Sequence, residues 1–391
     1  MNELIDVVNF NSDASCLRSE DWITAISGGK SAYFYQWLQL YVSRQKKISL
    51  GLTGASVADI AYFNPEAIEL LQNHLDIFEI VLRPFAHDLA VLRLPEGFLL
   101  NFHLGRKILN KHFTKVTDFY LPPEFMLTSE QIWLLKNEGV KGTFVQSGRL
   151  DIQFSERIPS QPYHVKGINE SSLQCIPFNR NLTLAYLKSL ALYNAEEWNN
   201  ILSEKSPRTF FSWRDGESFL LFPNGLEREK NWLDRESKSI ERSKLNENNM
   251  PFAPSDSFPH PFFQTYPPHP LSGWLRELKL MGFLNRISNI EKLASEFEDW
   301  QLVLWLELIK SDIFSSVEKQ SPNIQILENV HDKATKLYTI HRSEKVLEAE
   351  EILYLLTSVP KVEIESLLSS HKCAFAKKII ARRQAIRSML K

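Results

Sequence analysis

An apolar run stopped by two prolines, with an acid at the stop, is the feature that most restricts how this chain can fold. Residues 117–125 read TDFYLPPEF, so a strand-like segment ends in Pro122-Pro123 and is followed at once by Glu124. The next residues have helical spacing up to Gly139, and 140–145 return to strand composition. This order of elements is typical of a parallel α/β fold, in which functional sites collect at the carboxyl ends of strands.

Six further apolar runs of strand length alternate with helical segments along the first part of the chain. They span residues 4–10, 48–54, 77–82, 143–146, 174–178 and 208–213. Such alternation predicts a parallel sheet that is wound into a barrel and covered by helices on its outside.

The character of the chain changes after Trp232, and this change predicts three parts. Residues 1–233 would form the barrel, and residues 234–270, rich in Ser, Asn, Lys, Glu and then Pro, would form a linker or long loop. Residues 271–391 have helical patterns and would form a C-terminal α-helical domain. Its last segment, 372–391, has the pattern of a basic amphipathic helix. Such a helix can meet a membrane surface or nucleic acid, but we expect this one to dock by its apolar side and to leave its basic face in solvent.

Composition narrows the class of protein. The net charge of −2 provides no overall field to recruit nucleic acid. The three cysteines (Cys16, Cys175 and Cys373) are few and far apart, which favours a reducing compartment and a cytoplasmic location. No apolar run approaches the ~20 residues of a membrane span, and the first residues do not resemble a signal peptide. The high aromatic content of 12% fits either a carbohydrate cleft or a large core. The oligomeric state stays open.

Two acids at strand ends, Glu124 and Asp215, could form a catalytic pair. In retaining glycoside hydrolysis one carboxylate attacks the anomeric carbon and the other protonates the leaving oxygen, with the two carboxyl groups ~5 Å apart. Gly216 would let the backbone leave the strand sharply after Asp215. An apolar wall that keeps the acid protonated could be supplied by Trp213, Phe219 or Phe222.

Several segments resemble glycoside hydrolase family 57. FEIVLRPFAHDLAVL (78–92) resembles a third-strand motif of that family, YLPPE (120–124) resembles its nucleophile motif, and RDGESF (214–219) resembles its acid/base motif. LGLTGAS (50–56) and, more distantly, YPPHPLSGWLREL (266–278) extend the similarity. The resemblance implies a distorted (β/α)7 barrel followed by a helical domain, an α-glucan or another α-linked oligosaccharide as substrate, and no metal or organic cofactor.

The same resemblance assigns roles to individual residues. Glu124 would be the nucleophile, Asp215 the general acid/base, Glu79 a substrate-binding carboxylate and Glu217 the second acid of the last motif. Further sugar contacts are expected from polar and aromatic side chains near the strand ends, namely His87, Asn11, Asp13, Trp213 and Trp232. Glu79 lies within an apolar run, so it either lines the barrel mouth or pairs with Arg83 or His87.

Two departures from the family pattern keep other functions open. Residues 9–13 read NFNSD where the family has two histidines, and Asn cannot carry a charge as His can. Arg214 precedes Asp215 and would oppose a protonated acid unless it points into the outer helical layer. A non-catalytic carbohydrate-binding relative is therefore the alternative. A metal-dependent carbohydrate deacetylase, with Asp13 after the first strand, is a third possibility.

Overall fold

The computed structural model describes residues 2–13, 18–147, 162–203, 209–245, 257–259, 285, 287–293, 296–310, 352, 356, 361–370 and 373–390. Of the features named above, Cys16 and the segment 266–278 lie outside these residues. Among the described residues, no helix is long and apolar enough to cross a membrane.

One sheet of ten strands runs through the described part of the chain. In chain order the strands are β1 (Asn2–Phe10), β2 (Ile48–Leu52), β3 (Phe78–Leu82), β4 (Val116–Tyr120), β5 (Gly142–Ser147), β6 (Tyr163–Lys166), β7 (Ser172–Asn179), β8 (Thr209–Asp215), β9 (Ile240–Ser243) and β10 (Ser257–Pro259). Seven of these described strands pair in parallel in the order β7-β5-β4-β3-β2-β1-β8.

The parallel strands form a ring because the two ends of this order, β7 and β8, lie side by side. Outside the ring, β6 pairs antiparallel with β7, and β10 pairs with β6. Strand β9 pairs with the amino-terminal half of β1, below the point where β2 begins to pair. All seven predicted strands are present at the predicted places, and the α/β barrel is confirmed.

Helices cover the outside of this ring. They are α1 (Ser19–Ile26), α2 (Tyr33–Arg44), α3 (Gly54–Phe63), α4 (Pro65–Asn73), α5 (Pro95–His112), α6 (Ser129–Asn137), α7 (Arg180–Leu192), α8 (Glu196–Leu202), α9 (Gly225–Arg235), α10 (Asp299–Leu308), α11 (Lys361–Ser370) and α12 (Ala374–Leu390). Local signals start several of them. Thr53 caps α3 by accepting from the Ser56 N–H, and Thr128 and Gln131 form a reciprocal capping box at α6.

Two apolar cores follow from the alternation of side chains along the strands. The barrel interior is filled by Ile5, Val7, Val81, Phe119, Leu121, Phe125, Phe144, Ile176, Phe178, Phe211, Trp213 and Leu245. The opposite faces of the strands and the inner faces of the helices form the larger core between sheet and helices. The aromatic content therefore serves the cores to a large extent, since Trp22, Trp37, Trp198, Trp232 and Trp305 are all fully buried.

The last helix, α12, packs directly on the helices of the barrel layer. Helix α12 contacts α1, α3 and α5 of the barrel as well as α10. Within the predicted linker, 234–270, two short strands (β9 and β10) join the sheet. The division into domains at residues 233 and 270 stays a prediction.

Candidate active site

The carboxyl ends of β1, β3, β4 and β8 bring polar side chains to one rim of the barrel. In the register of β1 and β8, Asn9 lies directly opposite Asp215. The Asn9 side-chain amide donates a hydrogen bond to Asp215 Oδ1 at 3.2 Å. Asn9 thus holds the predicted acid/base, although its own strand end lacks the histidines of the family pattern. This contact depends on strands about 200 residues apart in sequence.

Glu124 sits in a short 3-10 turn, Pro123–Phe125, immediately after β4. Its φ of 52° and that of Phe125, 56°, lie in the left-handed region, which costs residues other than glycine of order 1 kcal/mol or more. The Phe125 ring packs edge-on against Trp213 at 5.0 Å between centroids. Trp213, predicted as an apolar wall, therefore supports the turn that carries Glu124. The Glu124 side chain keeps 15% exposure, and its Oε1 lies 3.4 Å from His87 Nε2.

Arg83, at the carboxyl end of β3, is a site residue that sequence reasoning missed. It is 1% exposed, and its Nη2 lies 3.2 Å from His87 Nδ1. Burial lowers the pKa of Arg83 to about 10, and the nearby Tyr120, Glu217, Asp215 and Glu124 oppose that effect. Arg83 is thus close enough to three acids of this rim for their charges to act on its guanidinium. The segment RPFAH (83–87) directly after a buried strand was a signal for this position.

Two glycines, Gly51 and Gly105, lie close to Arg83. A Cβ on Gly51 of β2 would come within 2.7 Å of Leu121 Cδ2 and 3.6 Å of Arg83 Cδ. A Cβ on Gly105 of α5 would come within 2.3 Å of the Arg83 carbonyl oxygen. Gly105 is therefore required by the close approach of the Arg83 backbone, whereas a side chain at Gly51 would clash with Leu121 and meet Arg83 only at ordinary van der Waals distance.

The second acid of the last motif, Glu217, lies deeper in the rim. It is 3% exposed, and its Oε2 accepts a hydrogen bond from the Asn11 backbone N–H at 3.4 Å. The Asn11 side-chain oxygen in turn accepts from the Asp13 N–H at 3.0 Å. The loop after β1 is thus tied to the segment after β8, on the same side as Asp215.

Asp13 itself faces away from this group of acids. Its carboxylate contacts Lys378 at 2.6 Å, Lys310 at 3.0 Å and Arg382 at 3.1 Å, and all these groups are buried. A carboxylate occupied by three cations is not available to a sugar or a metal, so the prediction of Asp13 as a substrate contact is corrected. Its part is to anchor the C-terminal helices to the loop after β1.

In the strand register Glu79 lies level with Ser49 and Val7, two residues before the level of Asn9. Its Oε2 accepts from the Ser49 hydroxyl and from the Leu245 backbone N–H, each at 2.8 Å. Leu245 follows β9, which pairs beside the amino-terminal half of β1, and its side chain enters the barrel interior. The Glu79 carboxylate is thus tied to the segment after β9, and its role as a substrate-binding carboxylate at the barrel mouth stays a prediction.

Trp232 and Arg214 both lie in the outer layer. Trp232, on α9, is 1% exposed and packs against Tyr186 and Trp198, with the Arg214 guanidinium over its ring at 4.8 Å. Because it is sealed outside the barrel, Trp232 cannot stack on a sugar at the rim, which corrects that prediction. Arg214 pairs with Asp6 and Glu229, so it points outwards while Asp215, its neighbour in sequence, lies at the rim.

The described residues include no cluster of three or more His, Cys, Asp or Glu side chains that could hold a metal ion. The deacetylase interpretation required such a set, with Asp13 as a ligand, and the residues around Asp13 are cations. The described residues around Asp13 thus do not supply the ligand set that the deacetylase interpretation requires.

Comparisons with known proteins agree with this architecture. No family model matches the chain, and no curated protein sequence does. Among solved structures, a GH57-type branching enzyme from Pyrococcus horikoshii has a TM-score of 0.64 at 12% identity, covering 99% of this chain and 96% of its own. A 4-α-glucanotransferase from Thermococcus litoralis has a TM-score of 0.61 at 14% identity, covering 80% of this chain. The matched part is 56% of that enzyme's length.

An α-amylase from Thermotoga maritima extends the series with a TM-score of 0.56 at 10% identity, covering 97% of this chain and 99% of its own. At such identities the similarity establishes the fold, which is GH57-like, and leaves the chemistry to the residues at the rim.

Proposed function

We propose that the chain is a carbohydrate-active enzyme of the family 57 type, a retaining glycoside hydrolase or transglycosylase that acts on an α-linked glycan. The observation that supports the proposal is that Glu124 and Asp215 follow or end two parallel strands of the ring, β4 and β8. Asp215 accepts a hydrogen bond from Asn9, Glu124 lies 3.4 Å from His87, and the charges of both acids act on the buried Arg83. The names of the similar structures, a branching enzyme, a glucanotransferase and an amylase, support α-glucan as the substrate class.

In this mechanism Glu124 attacks the anomeric carbon while Asp215, protonated, gives its proton to the leaving glycosidic oxygen. Asp215 then accepts a proton from water or from a sugar hydroxyl, and that oxygen displaces Glu124 from the anomeric carbon. Water gives hydrolysis, and a sugar hydroxyl gives transfer. The outward direction of Arg214 supports the role of Asp215, because that cation is paired in another layer. Glu217 and Asn11 would contact the sugar beside this pair.

A non-catalytic carbohydrate-binding protein is the second candidate, and Arg83 is the observation that favours it. The buried Arg83 guanidinium, on which the charges of Glu124, Asp215 and Glu217 act, has only hydrogen-bond donors and suits the binding of a polar ligand rather than the transfer of protons. Asn9 and Asn11 can hydrogen-bond sugar hydroxyls without any proton transfer.

The cytoplasmic location of the protein also stays a prediction.

Turnover of a panel of α-glucans and maltooligosaccharides, followed by product analysis, tests the proposal. We expect Glu124→Gln and Asp215→Asn each to reduce kcat by about 10³-fold or more, because each removes a group that acts in the transition state. Asp118→Asn is the matched control, since Asp118 on β4 is exposed and pairs with Lys141 at the surface.

Full activity of Glu124→Gln on a glycan that the wild type cleaves would contradict the role of Glu124. Glycan binding in calorimetry without turnover over the whole panel would favour the second candidate.

A further inference from the structure

Arg83, His87 and Glu124 form a contact chain that leads from the barrel interior to the proposed nucleophile. Arg83 Nη2 lies 3.2 Å from His87 Nδ1, and His87 Nε2 lies 3.4 Å from Glu124 Oε1. Arg83 and His87 are 1% and 8% exposed, so solvent has little access to the imidazole that connects the two ends.

The first contact determines which nitrogen of His87 carries the proton. A guanidinium has N–H donors and no acceptor, and the pKa of Arg83, lowered to about 10, leaves it charged at neutral pH. His87 Nδ1 must therefore accept the hydrogen bond from Arg83. A neutral imidazole that accepts at Nδ1 carries its proton on Nε2, the nitrogen that faces Glu124.

The segment that carries Arg83 and His87 is held rigidly by its backbone. The Asn101 side chain of α5 accepts from the Ala86 N–H at 2.7 Å and donates to the Ala86 carbonyl at 3.1 Å. The Phe85 N–H donates to the Asn101 carbonyl, and the Pro84 carbonyl accepts from the Gly54 N–H, both at 3.0 Å. The position of the imidazole is thus set before any ligand binds.

We propose that Arg83 is a positioning residue that holds His87 as the neutral Nε2–H tautomer and keeps that N–H facing the Glu124 carboxylate, at 3.4 Å between Nε2 and Oε1. The guanidinium also disfavours a second proton on His87, because an N–H at Nδ1 would face an N–H of Arg83. Glu124 thus meets a neutral donor, which directs one oxygen without pairing the carboxylate with a histidinium. The catalytic consequence depends on the proposed function, whereas the tautomer does not.

Long-range ¹H–¹⁵N NMR of protein labelled at histidine tests the tautomer at pH 7.5. The chain has 10 histidines, and the signals lost in His87→Gln identify His87. We expect an unprotonated Nδ1 and a protonated Nε2 in the wild type. An Nδ1–H tautomer or an imidazolium would overturn the proposal. Because this measurement needs no substrate, it decides the matter even if no glycan is turned over.

A double-mutant cycle tests the positioning role wherever a glycan is cleaved. We expect Arg83→Met to lower kcat about 10- to 100-fold and to change KM much less. His87→Gln places an amide donor near Glu124 without a tautomer to control, so in that background the Arg83→Met effect should fall to a few-fold. Arg83→Lys keeps a charged donor and should recover part of kcat. Additive effects of Arg83→Met and His87→Gln would contradict the proposal.

Discussion

Asp88 follows His87 in sequence, and its carboxyl group is buried with few neighbouring groups that would stabilise the ionised form. The residue is 1% exposed, and among the described residues only the Asn101 side chain approaches its carboxylate, without the geometry of a full hydrogen bond. Burial raises the pKa of Asp88 to about 7, and the positive charge of Arg93 opposes the shift only in part. The ionised form of a carboxyl group is unfavourable in such surroundings. The contribution of Asp88 to the free energy of unfolding therefore falls as the pH rises.

We predict that Asp88→Asn stabilises the protein at pH 8 but not at pH 4. An unfolded Asp has a pKa of ~3.9, so between that value and about 7 the folded state keeps a proton that the unfolded state releases. The contribution of Asp88 is therefore most favourable below ~4, declines as the pH rises to about 7, and is constant above. The variant should gain about 1–3 kcal/mol in the free energy of unfolding at pH 8 relative to pH 4.

Urea unfolding at the two pH values measures this gain. Asp118→Asn, at an exposed position, serves as the control and should show no comparable gain. An Asp88→Asn protein whose stability relative to wild type does not change with pH would show that the buried carboxyl is compensated in solution.

At the scale of elements, helix α12 differs from the expectation for a basic amphipathic helix. The sequence favours an apolar docking face and a solvated basic face, yet Lys378 and Arg382 are buried at 3% and 0% exposure. Arg382 bonds the carboxylates of Asp13, Asp59 and Glu307. These acids come from the loop after β1 and from helices α3 and α10. The helix therefore docks through charge as well as through apolar side chains.

We predict that Arg382→Met lowers the free energy of unfolding by about 3–5 kcal/mol, because it leaves three buried carboxylates short of a cation. Arg387→Ala on the same helix is the control, since Arg387 is 60% exposed and lies 4.0 Å from Asp299. It should cost at most about 1 kcal/mol. Equal losses in the two variants, measured by urea unfolding, would mean that the buried cluster adds nothing beyond a surface pair.

At the scale of the whole molecule, a second buried ionic network ties the barrel to its helical layer. Asp6 of β1 pairs with Arg214 of β8 at 3.0 Å and with Arg242 of β9 at 2.9 Å, and Arg242 continues to Glu236. Burial raises the pKa of Asp6, but the two arginines outweigh it and hold that pKa below its usual value. The network joins the first strand to two strands more than 200 residues away.

We predict that Asp6→Asn destabilises the protein by about 3–5 kcal/mol at pH 7 and by less at low pH. The pKa of Asp6 is lower in the folded state, so its stabilisation is complete above the unfolded value of ~3.9 and is lost as the pH falls through the folded value. Urea midpoints of variant and wild type should therefore converge below pH 4.

Asp234→Asn is the matched control for this experiment. Asp234 pairs with Arg44 at 2.6 Å, but its side chain is 48% exposed, so its loss should cost at most about 1 kcal/mol at either pH. A constant difference between Asp6→Asn and wild type across this pH range would exclude the ionised carboxylate as the source of the stabilisation.

The sequence by itself determined the barrel strands and the acids at their ends. Strand periodicity, helix caps and stopping residues act within a few positions, so the segment that ends at Glu124 and the one that ends at Asp215 could be recognised locally. Because side chains alternate along a strand, the sequence also determined that Arg214 and Asp215 point to opposite faces of the sheet. Which of these faces lies inside the barrel depended on the strands and helices that pack beside β8.

Only the tertiary structure decided which partners these side chains meet. Asp13 and Arg382 are 369 residues apart in sequence, and Leu245 reaches Glu79 across 166 residues. Trp232 is buried by helices that pack outside the ring. A buried charge is stable only when an opposite charge lies beside it, because burial removes its hydration. Which opposite charge lies beside it depends on the packing of distant segments, so a local sequence pattern does not predict the pair. The position of Glu124 at a strand end could therefore be predicted from the sequence. That Arg83 belongs to the same site could be seen only in the tertiary structure.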